Sequence, residues 1–215
     1  MDPMRAVAFL AEVVEGRAGA SPEALVDHLR RALEEFSREH GPSVVIPLQV
    51  SGRSPECGGA LLDLSAAYVL SRSLAETFFP FSVRSAATWG DLPDPIAGRA
   101  EADPLDGPAF ETAALLLYRA RKENRLLLVQ GITPDVDRLA NVLLLLLHRE
   151  MEAWTERQCE AVRLYRRLER QETVAQELGV SQQAVSSALG AAGWRDLAEA
   201  EAALRDVFSR PPGRR

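Results

Sequence analysis

The sequence predicts an α/β N-terminal domain with a mixed, palm- or ferredoxin-like sheet, followed by an all-α helix-turn-helix domain. Short apolar segments alternate with amphipathic helical segments up to Gly131, which is typical of an α/β sandwich. Beyond Gly131 the strand patterns end and the periodicity is helical to about residue 209. The predicted division is an α/β sandwich at 1–131, a connecting helix at 132–152, a helix-turn-helix domain at 153–209 and a basic tail at 210–215.

The N-terminal elements follow from periodicity and from turn residues. Ser21-Pro22-Glu23 is a helix-start signature, and Pro47 lacks the N–H of a central strand, so its strand belongs at an edge or a bulge. Asp106 is expected to cap the helix that Pro108 enters. The predicted elements are strands at 5–14, 44–50, about 60–62, 81–89 and 125–130, helices at about 22–40, 64–77 and 108–122, a turn at 51–59 and a loop at 90–107.

Residues 171–189 have the anatomy of a helix-turn-helix. Gly179 suits the left-handed turn that ends the first helix, and Ser181 caps the second. Upstream, Thr155 and Gln158 form a capping box that begins a covering helix. Generic helical hairpins share some of these features, so a pair of helices that only packs remains the alternative.

The second helix of this motif carries polar side chains that suit the major groove of DNA. Glutamine can bond adenine N6 and N7 together, and serine can donate or accept. Nearby arginines are expected to contact phosphates. The predicted DNA-binding residues are Ser181, Gln182, Gln183, Ser186 and Ser187 for bases, and Arg166, Arg167, Arg170 and Arg195 for phosphates, with the tail arginines Arg210, Arg214 and Arg215.

The charge distribution limits how DNA could be held. With 25 Lys+Arg against 31 Asp+Glu, the net charge of −6 excludes a protein held on nucleic acid or anionic lipid by overall charge. From Ile132 onward 12 Arg face 13 acidic residues, about −1, which leaves −5 in the first part. A single copy is therefore expected to bind double-stranded DNA weakly, and a dimer reading two half-sites is the natural remedy.

The stretch Leu139 to Leu147 is the candidate for dimerisation. Its leucines run around the whole helix, which predicts burial on all sides. Either the stretch is a core helix joining the domains or it is a subunit interface. A homodimer is expected through the N-terminal domain, the helix at 135–150, or both.

Cysteine and histidine usage bears on compartment and cofactors. Cys57 and Cys159 are lone thiols without a CxxC pair, which indicates a reducing cytoplasm. The three histidines are scattered, so no metal and no cofactor are predicted. The longest apolar run, Val142 to Leu147, is far shorter than the roughly 20 residues of a membrane span.

Two motifs resemble a SatD-like family. One is the helix start Asp106-Gly107-Pro108-Ala109-Phe110, and the other runs from Trp154 to Leu189 (WTERQ…VAQELGVSQQAVSSAL). The resemblance implies an α/β N-terminal domain joined to a C-terminal helix-turn-helix similar to sigma-factor region four. The order of the N-terminal elements also resembles the palm-type sheet of nucleotidyl cyclases, an analogy of fold only.

The same resemblance indicates a candidate ligand-binding site in the N-terminal domain. Where the family carries an Asp followed by Ser-Arg, this chain has Glu12 and keeps Arg17; of the family's Gly-Asp-Glu-Phe hairpin it keeps Glu56. Palm enzymes hold Mg²⁺ between two carboxylates, and Glu12 and Glu56 could meet across adjacent strands in the same way. Pro55 stands where the metal-binding Asp would be. The resemblance therefore predicts a pseudo-enzyme with no catalytic residue, its sheet retained for dimerisation or sensing.

Arg84 is the fourth candidate for ligand binding. It either binds an anion in a pocket or pairs with Asp63 or Asp91. The leading hypothesis is a cytoplasmic, homodimeric, DNA-binding transcription regulator with an unidentified small-molecule effector. The alternatives are a palm-type, metal-dependent nucleotide-binding enzyme or pseudo-enzyme, and a protein-interaction module whose helix-turn-helix docks on a partner.

Overall fold

A computed structural model describes residues 4–14, 21–52, 54–92 and 105–210 of the chain. The strands are β1 (Arg5–Val14), β2 (Val44–Val50), β3 (Glu56–Leu61), β4 (Ser82–Asp91) and β5 (Leu127–Gln130). The helices are α1 (Pro22–His40), α2 (Leu64–Phe78), α3 (Pro108–Glu123), α4 (Pro134–Glu152), α5 (Glu156–Leu168), α6 (Gln171–Leu178), α7 (Gln182–Ala191) and α8 (Trp194–Phe208).

The described strands form one sheet in the order β2-β3-β1-β4-β5. The pairs β2–β3, β3–β1 and β1–β4 are antiparallel, and β4–β5 is parallel. The prediction of a mixed sheet containing a hairpin is thus confirmed. The strand with Pro47 lies at the sheet edge and its register shifts beside the proline, as the missing N–H predicted.

Side-chain caps explain most of the helix starts. Ser21 accepts from the Ala24 N–H at 3.2 Å, and Thr133 accepts from the Val136 N–H at 3.3 Å. The expectation that Asp106 caps α3 is wrong. The cap position belongs to Gly107, whose φ of +103° suits glycine, and the Asp106 carboxylate accepts from the Gly107 N–H rather than from an N–H of the helix.

Strand β3 begins at Glu56, inside the stretch predicted to be a turn. Its two glycines lie in the strand because their neighbours leave no room for a side chain. A Cβ at Gly58 would lie 2.7 Å from Leu10 Cδ2, and one at Gly59 would lie 3.0 Å from the Ile46 carbonyl. These glycines permit close packing rather than a turn.

The sheet has unequal faces. Helix α3 packs its Ala113 and Leu116 over one face, against Ala8 and Ala86. The other face packs on α1 and α2, and its core runs without interruption through α4 into the four C-terminal helices, ending at Phe208. The segments predicted as two domains therefore share one hydrophobic core.

Helix α4 is not buried on all sides, which corrects the expectation from its leucine content. Its inner face, Ala140, Leu144 and Leu147, is buried, but an outer stripe is open: Leu139 is 71% exposed, Val142 50% and Leu146 56%. These three residues lie on one side of the helix at i, i+3 and i+7. We call them the α4 stripe.

The inner side of α4 lines the outer edge of strand β5. The Asn141 amide accepts from the Val129 N–H at 2.9 Å and donates to the Val129 carbonyl at 2.8 Å. Asp137 accepts from the backbone just past the strand, and His148 Nδ1 accepts from the Leu126 N–H. Side chains of α4 therefore satisfy a strand edge that would otherwise be open to another chain.

Both cysteines are free and buried, in agreement with the expectation of unpaired thiols. Burial raises the pKa of Cys57 to about 12 and that of Cys159 to about 11, so both stay protonated near neutral pH. Among the helices of the described ranges, none is long and apolar enough to cross a membrane.

Candidate nucleic-acid interface

The ends of helices α5, α6 and α7 have the caps and the turn that the sequence predicted. Gly179 ends α6 with φ +63°, and the Ser181 hydroxyl accepts from the Ala184 N–H at 3.2 Å to begin α7. The capping box of Thr155 and Gln158 at the start of α5 is present. These local predictions are confirmed.

Buried apolar side chains hold the two short helices together. Val174 and Ala175 of α6 and Val185 and Leu189 of α7 are all buried. The Trp154 indole N–H, just before α5, donates to the Ala192 carbonyl at the end of α7 at 3.1 Å. The orientation of α7 is therefore fixed by packing and by a hydrogen bond to the helix connection that precedes α5.

The outward side of α7 carries the predicted polar set. The N-cap Ser181 and the helix residues Gln182, Gln183, Ser186 and Ser187 are all exposed. They occupy the N-terminal two turns of the helix, the part that inserts into the major groove in helix-turn-helix proteins. In the described structure these side chains have no hydrogen-bond partner apart from the Ser181 cap.

Arg166 does not join the expected set of phosphate contacts. Its side chain is only 11% exposed, and its guanidinium pairs with Glu76 and Glu201 while lying 4.7 Å from the Trp194 ring. Buried and committed to two carboxylates, Arg166 is unavailable to DNA.

The remaining arginines divide between two surfaces. Arg167 is exposed but lines a cleft that faces α1 and α2. Arg170 is exposed at the N-terminal end of α6, where backbone N–H groups also favour phosphate, and Arg195 is exposed in the first turn of α8. Arg210 is exposed, and Arg214 and Arg215 lie outside the described residues.

A buried polar network connects α2 with α5 and α8. Glu201 accepts from the Tyr68 hydroxyl at 2.8 Å, from Arg166 and from Arg72 at 3.2 Å. Arg166 Nε lies 2.9 Å from Glu76 Oε1, an ion pair without hydrogen-bond alignment. We call these five residues the α2–α8 network.

The pKa values of the two carboxylates of the α2–α8 network are shifted in opposite directions. Burial raises the pKa of Glu76, since the charges of Arg166 and Arg72 offset it only in part. Burial also acts to raise the pKa of Glu201, but its hydrogen bond from Arg166 and the charges of Arg166 and Arg72 outweigh burial and lower it. Glu201 is therefore the firmly ionised member.

The second predicted cluster lies on the sheet face that α3 covers. Glu12 and Glu56 are direct neighbours across β1 and β3, so the expectation that they meet is confirmed. Between them stands Arg121 of α3, whose Nε donates to Glu12 at 2.8 Å, with a second bond from its terminal nitrogen. The same nitrogen lies 3.9 Å from Glu56. The hydrogen bond and charge of Glu12 raise the pKa of Arg121.

Arg84 has neither of its expected carboxylate partners. It donates to the Val83 carbonyl at 2.8 Å and to the Asn124 side chain, and burial lowers its pKa. Asp63 instead caps α2, and Asp91 pairs with Arg5. Arg17, the remaining ligand candidate, lies outside the described residues.

Sequence reasoning missed Arg121, Glu76 and Glu201. Apart from Arg72, which pairs with Glu76 at i, i+4, their partners are 35 to 133 residues away, so local spacing does not reveal them. The one available signal was Glu201 itself, an acid at a position whose helical neighbours Leu197, Leu204 and Phe208 are all core residues.

Comparison with known proteins adds no assignment. No protein family, curated protein or solved structure matches the chain. Within the described ranges, no group of three acidic, histidine or cysteine side chains is placed to hold a metal ion.

Proposed function

We propose that this protein is a DNA-binding transcription regulator that reads the major groove with α7. The observation that carries the proposal is the exposed set Gln182, Gln183, Ser186 and Ser187 on a helix held in helix-turn-helix packing. Glutamine and serine recognise base edges, and these four side chains lie on the part of the helix that helix-turn-helix proteins insert into the major groove. Arg170 and Arg195 supply the phosphate contacts.

We assign a non-catalytic role to the N-terminal sheet. The strand order β2-β3-β1-β4 supports a ferredoxin-like arrangement, the kind used by palm domains. The positive charge between Glu12 and Glu56 is the Arg121 guanidinium, in the position where a palm enzyme would use a divalent cation. This favours a pseudo-enzyme platform over a nucleotidyl transferase, in line with the SatD-like resemblance.

The base-reading assignment is tested by replacing Gln182 and Gln183 with alanine together. The binding free energy for DNA is expected to weaken by about 1–3 kcal/mol for each lost bidentate contact, because alanine leaves the base edges without hydrogen-bond partners. The measurement is gel retardation of duplexes that the wild-type protein enriches from a random pool. Gln130→Ala, an exposed glutamine on β5, is the matched control and should bind as wild type.

Equal retardation by the double variant and the wild type would remove the base-reading assignment. If the wild type enriches no duplex at all, the result favours the alternative in which the helix-turn-helix docks on a protein. A salt series adds a second criterion, since each phosphate contact contributes about −0.9 to the slope of log affinity against log salt. Arg170→Ala and Arg195→Ala should each reduce that slope by about one.

We further propose that the protein binds DNA as a homodimer through the α4 stripe. Leu139, Val142 and Leu146 form a continuous exposed apolar row on α4, and single copies carry too few free arginines for tight binding. Two copies would present two α7 helices to successive major grooves, about 34 Å apart.

Replacing Leu139 and Leu146 together by glutamate is expected to dissociate the dimer. Two carboxylates buried against a second copy would lack partners, so the dimer dissociation constant should rise at least about 100-fold. Sedimentation equilibrium measures this directly. The control is Leu115→Glu on α3, an equally exposed leucine (68%) outside the stripe, which should leave the mass unchanged. A double variant that remains dimeric would place the interface elsewhere.

A further inference from the structure

A cleft of about 470 Å³ is lined by residues of α1, α2, α5 and α8. One wall carries Arg163 and Arg167 of α5 and Arg205 of α8. The opposite wall carries Glu35 and Glu39 of α1. The exposed charges of the cleft are thus guanidinium groups on α5 and α8 and carboxylates on α1.

Five arginines line this cleft, and they differ in whether their charge is matched by a carboxylate. Arg72 and Arg166 also line the cleft, but their charges are matched by Glu76 and Glu201 in the α2–α8 network. Arg163, Arg167 and Arg205 are exposed and make no ion pair with any residue of the described ranges. Arg163 and Arg167 are one helical turn apart, so their Cβ atoms lie about 5–6 Å from each other.

We infer that this cleft binds a small phosphorylated molecule that also carries hydroxyl groups. Arginine presents planar donor pairs that match phosphate oxygens, and three such groups around one concave space suit a doubly charged terminal phosphate. The carboxylates of Glu35 and Glu39 accept hydrogen bonds, so they suit sugar-type hydroxyls rather than a second phosphate. Sugar phosphates and nucleoside monophosphates have this chemistry.

The acidic wall also argues for a small ligand over a nucleic acid. A phosphodiester chain crossing the cleft would bring further negative charges beside Glu35 and Glu39, which repel them. A single terminal phosphate can sit against the arginines while its uncharged part faces the carboxylates. Arg167 therefore belongs to this cleft, and DNA contact is left to Arg170 and Arg195.

The position of the cleft links it to the arrangement of the two halves. Its walls belong to α1 and α2 on one side and to α5 and α8 on the other. A ligand in contact with both walls joins α1 to α5 and α8, so its binding should stabilise the packing of the C-terminal helices on the N-terminal part.

Calorimetric titration of the full chain, without DNA, tests the inference with three probes: ribose 5-phosphate, inorganic phosphate and ribose. Ribose 5-phosphate should bind more tightly than inorganic phosphate, and ribose should give no heat. Replacing Arg163 and Arg167 together by alanine should weaken ribose 5-phosphate binding about 100-fold, roughly tenfold for each lost charge-assisted contact. Arg157→Ala, an exposed arginine of the same helix that does not line the cleft, should change nothing.

Replacing Glu35 and Glu39 together by glutamine separates the two walls. If the carboxylates hold the hydroxyls, this variant should lose the preference for ribose 5-phosphate over inorganic phosphate. Absence of heat from both phosphate probes at millimolar concentration, or equal binding by the Arg163/Arg167 variant and the wild type, would overturn the inference. Because no DNA is present, either result leaves the proposed regulator function to its own test.

Discussion

Replacing Arg166 by alanine is expected to lower the free energy of unfolding by about 3–5 kcal/mol, one of the two largest effects that we expect from any single substitution. Arg166 is the main cation of the α2–α8 network and pairs with both Glu76 and Glu201. Without it, two buried carboxylates share only Arg72, which lies 3.2 Å from Glu201 and 3.8 Å from Glu76. Removing one partner of a buried ion pair costs more than the pair contributes, because the other charge stays buried.

Chemical denaturation followed by circular dichroism measures this change. Arg163→Ala is the matched control, since Arg163 is exposed on the same helix and forms no ion pair with the residues that the structure describes, and its effect should stay within about 0.5 kcal/mol. If the two variants unfold at the same denaturant midpoint, the network does not stabilise the fold.

The pH dependence of the Arg166 variant gives a second criterion. In the wild type the lowered pKa of Glu201 contributes stability above pH 4.5, its ordinary value, and that stability is lost as the pH falls through the lowered pKa. Without Arg166 the pKa of both carboxyl groups rises, so the folded variant binds protons more readily than its unfolded chain. The stability deficit of the variant should therefore shrink as the pH falls toward 4.5, and a deficit that stays constant would contradict the network's role.

Local signals predicted the fold well where they act over a few residues. Ser21, Thr155 and Ser181 were recognised as caps because a cap and its target N–H lie three residues apart. The glycines of β3 predict a turn from sequence because glycine occurs both in turns and at close backbone contacts, and only the neighbouring strands show which of the two applies. Asp106 is not the cap because α3 begins at Pro108, which makes Gly107 the residue at the cap position.

The candidate sites were predictable only in part. The exposed glutamines of α7 follow from helical periodicity, since Val185 and Leu189 fix which side faces the core. The arginines did not follow, because burial of Arg166 depends on Glu76 and Glu201, which are distant in sequence. Helical spacing predicts which side of a helix a residue lies on, but it does not predict which charged residues of other helices that side will contact.

Replacing Asn141 by alanine is expected to cost about 2–4 kcal/mol and to make the protein prone to self-association. The Asn141 amide satisfies both the N–H and the carbonyl of Val129, whose residue is 1% exposed. Alanine leaves two buried backbone groups without partners, each at about 1–3 kcal/mol. The same change uncovers part of the β5 edge, to which a strand of another molecule can add.

Denaturation and light scattering on warming measure the two consequences of the Asn141 substitution. Asn141→Asp keeps the acceptor for the Val129 N–H but sets a carboxylate oxygen against the Val129 carbonyl, where the amide donated, so its cost should equal or exceed that of alanine. Arg138→Ala, exposed on the same helix, is the neutral control. Asn141 is one of only two asparagines in the chain, and its paired bonds to one backbone residue require a side chain that both donates and accepts. An alanine variant as stable as the control would show that β5 needs no edge cover, and α4 would then be held by its apolar inner face alone.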